Sequence, residues 1–94
     1  MMGMASEFPV VYCIILNLNG RALLLETLDS VRQMQYPNFR IVVSDNGSND
    51  GSQEAVRAGY PDVVVLENGK NLGFGEGNNV GMRYALDQGA EWIF

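Results

Sequence analysis

A chain of 94 residues makes one small domain at most, burying roughly 60–65% of its unfolded surface. Its 47% hydrophobic and 18% charged residues match an ordinary globular protein and exclude the low-apolar, high-charge signature of disorder. A net charge of −5 argues against nucleic acid or anionic lipid as a partner, while the absence of histidine and the single cysteine exclude His-based triads, His-ligated metals, internal disulfides and cysteine zinc sites.

The first residues lack the basic region of a signal peptide, so residues 1–8 are set apart as a disordered or expression-derived terminus. Residues 10–16 form a short run rich in β-branched side chains, the pattern of a strand buried on both faces. This run is far shorter than the ~20 residues of a membrane span. No transmembrane segment is expected, and the lone thiol without a signal sequence points to the cytoplasm. From Arg21 onward Leu24, Leu28, Val31 and Met34 recur at helical spacing until Pro37 forbids continuation. Residues 41–44 read as a second strand, and 45–51, rich in Asp, Asn and Gly, as a sharp turn. A short helix over 52–58 ends before Pro61, and residues 63–66 form a third strand. A second glycine-rich loop is expected over 67–77. Val80, Met82, Tyr84, Ala85 and Leu86 suggest a further helix, capped near Gly89, before Trp92, Ile93 and Phe94 open a fourth apolar segment.

Strands alternating with helices at this spacing specify an α/β fold: a βαβαβαβ chain with a parallel sheet and right-handed crossovers. The last segment stops after three apolar residues, the mark of a fragment, with a natural small domain as the alternative.

Ligands of open α/β sheets bind outside the carboxyl ends of the strands. Here those ends carry Asn17 and Asn19, then Asp45 and Asn46, then Glu67, Asn68, Lys70 and Asn71. Asp45, directly after an apolar strand, either holds its own turn or accepts a hydrogen bond from a ligand; uracil, thymine and guanine each offer a ring N–H. An EF-hand reading of residues 46–57 fails, because Arg57 stands where the bidentate glutamate belongs. Asn46-Gly47-Ser48 is formally a glycosylation sequon without a secretory signal. Gly73-Phe74-Gly75-Glu76-Gly77-Asn78 resembles a dinucleotide fingerprint, but Asn78 replaces its third glycine and the segment follows the third strand, not the first. The loop still offers unpaired N–H groups near a helix start, where a diphosphate could sit, although Glu76 opposes an anion. Gly77 and Gly81 fit close helix–sheet packing, and Asn78 and Asn79 face the ligand edge. Arg21 opposes the helix dipole and reads as solvated or ligand-directed. Cys13 reads as core, and Trp92 as sheet core or, alternatively, as a surface that a missing part covers.

The segments Ile14-Ile15-Leu16-Asn17-Leu18-Asn19-Gly20, Tyr36-Pro37-Asn38-Phe39 leading into Ile41-Val42-Val43-Ser44-Asp45-Asn46-Gly47-Ser48-Asn49-Asp50-Gly51, and Asn71-Leu72-Gly73-Phe74-Gly75-Glu76-Gly77-Asn78-Asn79-Val80-Gly81 together resemble family 2 glycosyltransferases, in their rhamnosyltransferase-like branch. The resemblance covers residues 10–94 in order and spacing. It implies a GT-A fold, of which these residues are the Rossmann-like nucleotide-binding half, and an inverting sugar transfer from a nucleoside diphosphate donor to an acceptor hydroxyl, in cell-surface polysaccharide or glycan synthesis. By position, Asn17, Leu18 and Asn19 would line the base and ribose, Asp45 would accept the base N–H, and the stretch from Gly73 to Asn78 would close over the donor. Relatives often carry an aromatic residue in place of Leu18 and an arginine in place of Asn78.

In the family the segment after Phe94 runs into an acidic DxD-like motif that binds a divalent metal, Mn2+ or Mg2+, on the donor diphosphate, with the catalytic base further on. The residues present hold neither, so they are expected to bind a donor, with dTDP- or UDP-sugars favoured, and to transfer nothing alone. The cytoplasmic face of a membrane is the expected place of work. A sugar nucleotidyltransferase would need a basic phosphate loop after the first strand, which is missing; a non-catalytic binding or interaction module is the other alternative.

Overall fold

The computed structural model describes residues 8–94. Its elements follow in the order β1 (Val11–Asn17), α1 (Arg21–Arg32), β2 (Phe39–Asp45), α2 (Ser52–Gly59), β3 (Val64–Glu67), α3 (Gly73–Asp87) and β4 (Trp92–Ile93). The sheet has the order β3-β2-β1-β4 with every pair parallel, the Rossmann-like arrangement in which strand order reverses beside β1.

β2 is central, and its residues from Ile41 to Asp45 are all buried, as expected of a strand covered on both faces. Alternation along the strands sorts the core into two layers. Ile41 and Val43 pack with Leu24, Leu28, Val56 and Tyr60 beneath α1 and α2, whereas Val42 packs with Tyr12 and Ala85 beneath α3. The α3 terminus is closed by a left-handed Gly89 (φ 89°), with Ala90 N–H donating to the Ala85 carbonyl (3.0 Å) and Gly89 N–H to that of Leu86 (3.1 Å), a Schellman motif.

Three expectations are corrected. The α1 stripe stops at Arg32, and Met34 is exposed: Gln33 and Met34 N–H turn to the carbonyls of Ser30 and Val31, tightening the end, and Pro37 holds Tyr36 away from helical geometry. Helix α3 begins at Gly73, so its first five residues, expected to be loop, are helical; side chains from the sheet fix them, as described below. Trp92 is 63% exposed on β4, an edge strand with a neighbour on one side only. Of the expected terminus, residues 1–7 lie outside the described residues, while Phe8 meets the Tyr36 ring edge-on at 6.2 Å and accepts from Asn38 Nδ2 (2.5 Å) through its carbonyl. Among the described residues no helix is long and apolar enough to cross a membrane.

Candidate functional site

The parallel register sets Asn17 beside Asp45 at the carboxyl edge of the sheet, and both side chains fall on the α1/α2 face. Asp45 is 1% exposed. Its Oδ1 accepts from Asn17 Nδ2 (2.8 Å) and Ser48 Oγ (2.8 Å), and its Oδ2 accepts from Ser48 N–H (2.8 Å) and Gln53 Nε2 (2.8 Å). Two carboxylate oxygens offer about four acceptor positions, and all are taken by the chain itself. Of the two roles weighed for Asp45, the turn-holding one is built directly into this geometry. The Ser48 hydroxyl also accepts from Asn17 Nδ2 (3.1 Å) and Asn19 N–H (2.8 Å), so one small side chain joins the ends of β1 and β2.

Asn19 adopts φ 53°, which asparagine tolerates, and its Oδ1 accepts from Asn49 N–H (2.8 Å). Asn17 Oδ1 accepts from Gly20 N–H at the start of α1 (3.3 Å). Leu18, between the two asparagines, is held by none of these bonds and stands 44% exposed. Arg21 is drawn into the same loop system, with Nη1 donating to the Asp50 carbonyl (3.4 Å).

Asp50 links two helix starts. Its Oδ2 accepts from Arg21 N–H (3.0 Å), and its Oδ1 from Ser52 N–H (3.0 Å) and the Ser52 hydroxyl, each at the favourable end of a helix dipole. The Ser52 hydroxyl, foremost, and the two N–H donors hold the Asp50 carboxyl below its ordinary value against the opposing desolvation. A depressed carboxyl pKa contributes stability that is present above the ordinary carboxylate range and is lost as pH falls through the folded value. We therefore expect the melting temperature to fall below about pH 4, and Asp50→Asn to flatten that slope in part. A residue of slope will remain from Glu76, whose carboxyl is also lowered, chiefly by Arg83. A pH series of thermal melts showing identical slopes in both chains would contradict this.

On the opposite face a second polar layer lies under α3. Ser44 and Asn46 are buried, Asn68 Nδ2 donates to both Ser44 Oγ (3.0 Å) and Asn46 Oδ1 (2.8 Å), and Ser44 Oγ donates to the Gly77 carbonyl (2.7 Å). Gly73, with φ 86°, donates its N–H to Asn71 Oδ1 (2.9 Å). Asn78 lies one turn into α3, where Nδ2 donates to the Phe74 carbonyl (2.9 Å), the back-bond typical of a polar residue inside a helix. Phe74 is 79% exposed at the same edge. Thus Asn17, Leu18, Asn19 and Asp45 form one cluster on the α1/α2 face, while Gly73 and Asn78 stand on the α3 side, Gly73 bonded to Asn71 and Asn46 and Asn78 to Phe74. Gln53 was not anticipated: it sits at helical spacing with Val56 and Tyr60, all three buried, so a polar residue on an apolar stripe was its signal.

A cavity of about 230 Å³ opens beside the β1 terminus, lined by Leu16, Asn17, Leu18, Gly20, Leu23 and Thr27. A larger one of about 390 Å³, with Arg32, Tyr36, Phe39 and Arg40 in its wall, lies at the amino ends of the strands, away from where such sheets bind ligands. Cys13 is buried, and burial pushes its thiol up, so it is core and not a nucleophile. No three Cys, Asp or Glu side chains gather into a metal site among the described residues.

The chain is similar to known glycosyltransferases. An uncharacterized glycosyltransferase of Rickettsia bellii is 29% identical over 91 residues, 96% of this chain and 13% of its own length. An N-acetylglucosaminyl-diphospho-decaprenol L-rhamnosyltransferase of Mycobacterium tuberculosis is 37% identical over 57 residues, 56% of this chain and 19% of that one. The solved mannosyltransferase PcManGT from Pyrobaculum calidifontis, in complex with GDP-Man and Mn2+, superposes with a TM-score of 0.75 at 30% identity, covering 85% of this chain and 25% of that one. The chain thus spans a quarter or less of each of these three. The sequence profile described as glycosyl transferase family 2 matches residues 12–94, nearly the whole described structure, and the chain belongs to that family.

Proposed function

We propose that these residues bind the nucleoside diphosphate of a sugar donor for an inverting glycosyltransferase acting in cell-surface polysaccharide or glycan synthesis at the cytoplasmic face of a membrane. The observation that carries the reading is the convergence of Asn17, Leu18, Asn19 and Asp45 with the α3 start at the carboxyl edge of a Rossmann-like sheet. The base lies over Leu18 and Asn19. Its ring N–H reaches Asp45 in the place that the Ser48 hydroxyl holds, by displacing that side chain from Asp45 and from its bonds with Asn17 and Asn19. The diphosphate meets the first turn of α3, whose unpaired N–H groups and dipole favour negative charge.

In the reaction the acceptor hydroxyl oxygen attacks the anomeric carbon from the face opposite the departing diphosphate, the bond to the diphosphate oxygen breaks, and the nucleoside diphosphate leaves with its electron pair. A base takes the hydroxyl proton. The divalent ion of the family, Mn2+ or Mg2+, would neutralise the departing diphosphate, but the described residues do not fit it: no ligand cluster exists among them, and Asp45 and Asp50 are engaged by internal donors. Metal ligands and base are assigned outside these residues, so this chain's share is donor binding.

Calorimetric titration with UDP, dTDP and GDP, with and without Mn2+, tests the reading. One nucleotide, UDP or dTDP by expectation, binds without metal, and Leu18→Asp at an exposed position weakens it at least about tenfold. A folded chain that binds none of the three refutes donor binding and leaves a non-catalytic module as the better account.

A further inference from the structure

The side chain of Asn46 lies between the sheet and the beginning of α3. It is 3% exposed, and each of its polar atoms is engaged. Nδ2 donates to the Gly73 carbonyl (3.2 Å) and to Asn71 Oδ1 (3.3 Å), while Oδ1 accepts from Asn68 Nδ2 (2.8 Å). Its own backbone N–H is fixed to the Asn17 carbonyl (2.9 Å), so the residue is anchored in the ladder that carries Asn17 and Asp45. Gly77 completes the contact: a Cβ there would fall 2.9 Å from Asn46 Nδ2 and 3.1 Å from Oδ1, so the helix seats directly on the amide.

Glycines at positions 75 and 77 make this a poor helix by propensity, each costing about 1 kcal/mol against alanine, and Gly73 enters it with a left-handed φ of 86°. Its N-cap residue, Leu72, supplies no side-chain cap, and only the Gly73 N–H finds a side chain, Asn71 Oδ1. The turn is therefore helical because tertiary hydrogen bonds hold it, and Asn46 supplies the one side chain that touches the Gly73 carbonyl, the Asn71 loop and Asn68 at once.

We propose that Asn46 is a positioning residue that holds the first turn of α3, and with it the backbone N–H groups of Phe74 and Gly75, which have no intrahelical partner, in place over the donor diphosphate. The inference rests on the donor-binding reading above for its purpose, and on the hydrogen bonds alone for its mechanics. Asn46 touches no ligand in this account. It couples the base side of the cleft, through β2, to the diphosphate side, through α3.

Asn46→Asp is the direct test, since it keeps size and the acceptor for Asn68 while placing oxygen against two oxygens, Asn71 Oδ1 and the Gly73 carbonyl. Amide hydrogen exchange in residues 74–78 should accelerate at least about tenfold, with the central amides of Val42 and Val43 retaining their protection. Asn71→Ala, at an exposed position, should loosen the same segment and decides the matter if Asn46→Asp does not fold. Binding supplies the second readout. The preference for UDP over uridine, which differ by the diphosphate, should shrink at least about fivefold in either variant. Unchanged exchange at 74–78, or equal weakening of UDP and uridine, would overturn the proposal. If the wild-type chain binds neither compound, the donor reading fails, and exchange still decides for or against the latch.

Discussion

Replacing Asp45 with alanine should lower the melting temperature by about 15 °C or more and leave the chain partly unfolded at 37 °C. The carboxylate receives four internal hydrogen bonds at 2.8 Å, and its loss strands buried donors on Asn17, Ser48 and Gln53. Each stranded buried donor costs about 1–3 kcal/mol. Water can enter at the sheet edge, so the sum is about 3–5 kcal/mol, against roughly 5–14 kcal/mol for the whole fold. At about 4–8 °C per kcal/mol for a chain of this size, the shift follows. Asp45→Asn is the sharper variant because it leaves no cavity. Its NH2 must face donors in either orientation: Ser48 N–H and Gln53 on one side, Asn17 on the other. Turning the Asn17 amide to suit would cost it the bond to Gly20 N–H. Thermal melts of both variants check this, and a shift below about 5 °C in each would mean that the carboxylate is dispensable to the fold. The same experiment separates the two roles of Asp45, since a residue needed only for the base would leave the melt unchanged.

Much of this arrangement is legible in the sequence, and the reason differs by element. β2 is unmistakable because a strand covered on both faces cannot alternate, and its apolar run stops where Ser44 and Asp45 begin the polar edge. The polar residues after each strand mark the ligand edge for the same reason: the interior ends there. What sequence does not show is which of those polar groups face a ligand and which face each other. Asp45 is bonded by Gln53 from another element, a pairing that depends on how α2 leans over the loop. The start of α3 is hidden more deeply. Local propensity opposes a helix at Gly73, and the bonds from Ser44 and Asn46 that override it arrive from residues about thirty positions earlier. Trp92 shows the converse: an apolar residue in a strand is expected to be covered, yet coverage is a property of neighbouring elements, and β4 is an edge strand with a neighbour on one side only.

Gly81→Ala should destabilise the chain although it replaces glycine by the best helix former. An alanine Cβ at this position would lie 2.4 Å from Ile14 Cγ2 and 3.6 Å from Ile14 Cβ. The Cγ2 methyl of a β-branched side chain moves only if χ1 leaves its well, so the helix must lift from β1 instead. Overpacking of this kind costs about 1–3 kcal/mol, which exceeds the gain of about 1 kcal/mol from helix propensity. Gly75→Ala, six residues earlier in the same helix, meets nothing within 4 Å and has no positive φ, so it should gain up to about 1 kcal/mol. The opposite signs distinguish a packing requirement from a general intolerance of α3 to substitution. Combining Gly81→Ala with Ile14→Ala removes the obstructing methyl, and the two changes should be less harmful together than their sum, the signature of direct contact in a double-mutant cycle. Additive effects would show that α3 accommodates the methyl by some other movement. Lifting α3 also carries its first turn away from Asn46, so Gly81→Ala should raise amide exchange at residues 74–78 while Gly75→Ala leaves the seat of the helix undisturbed.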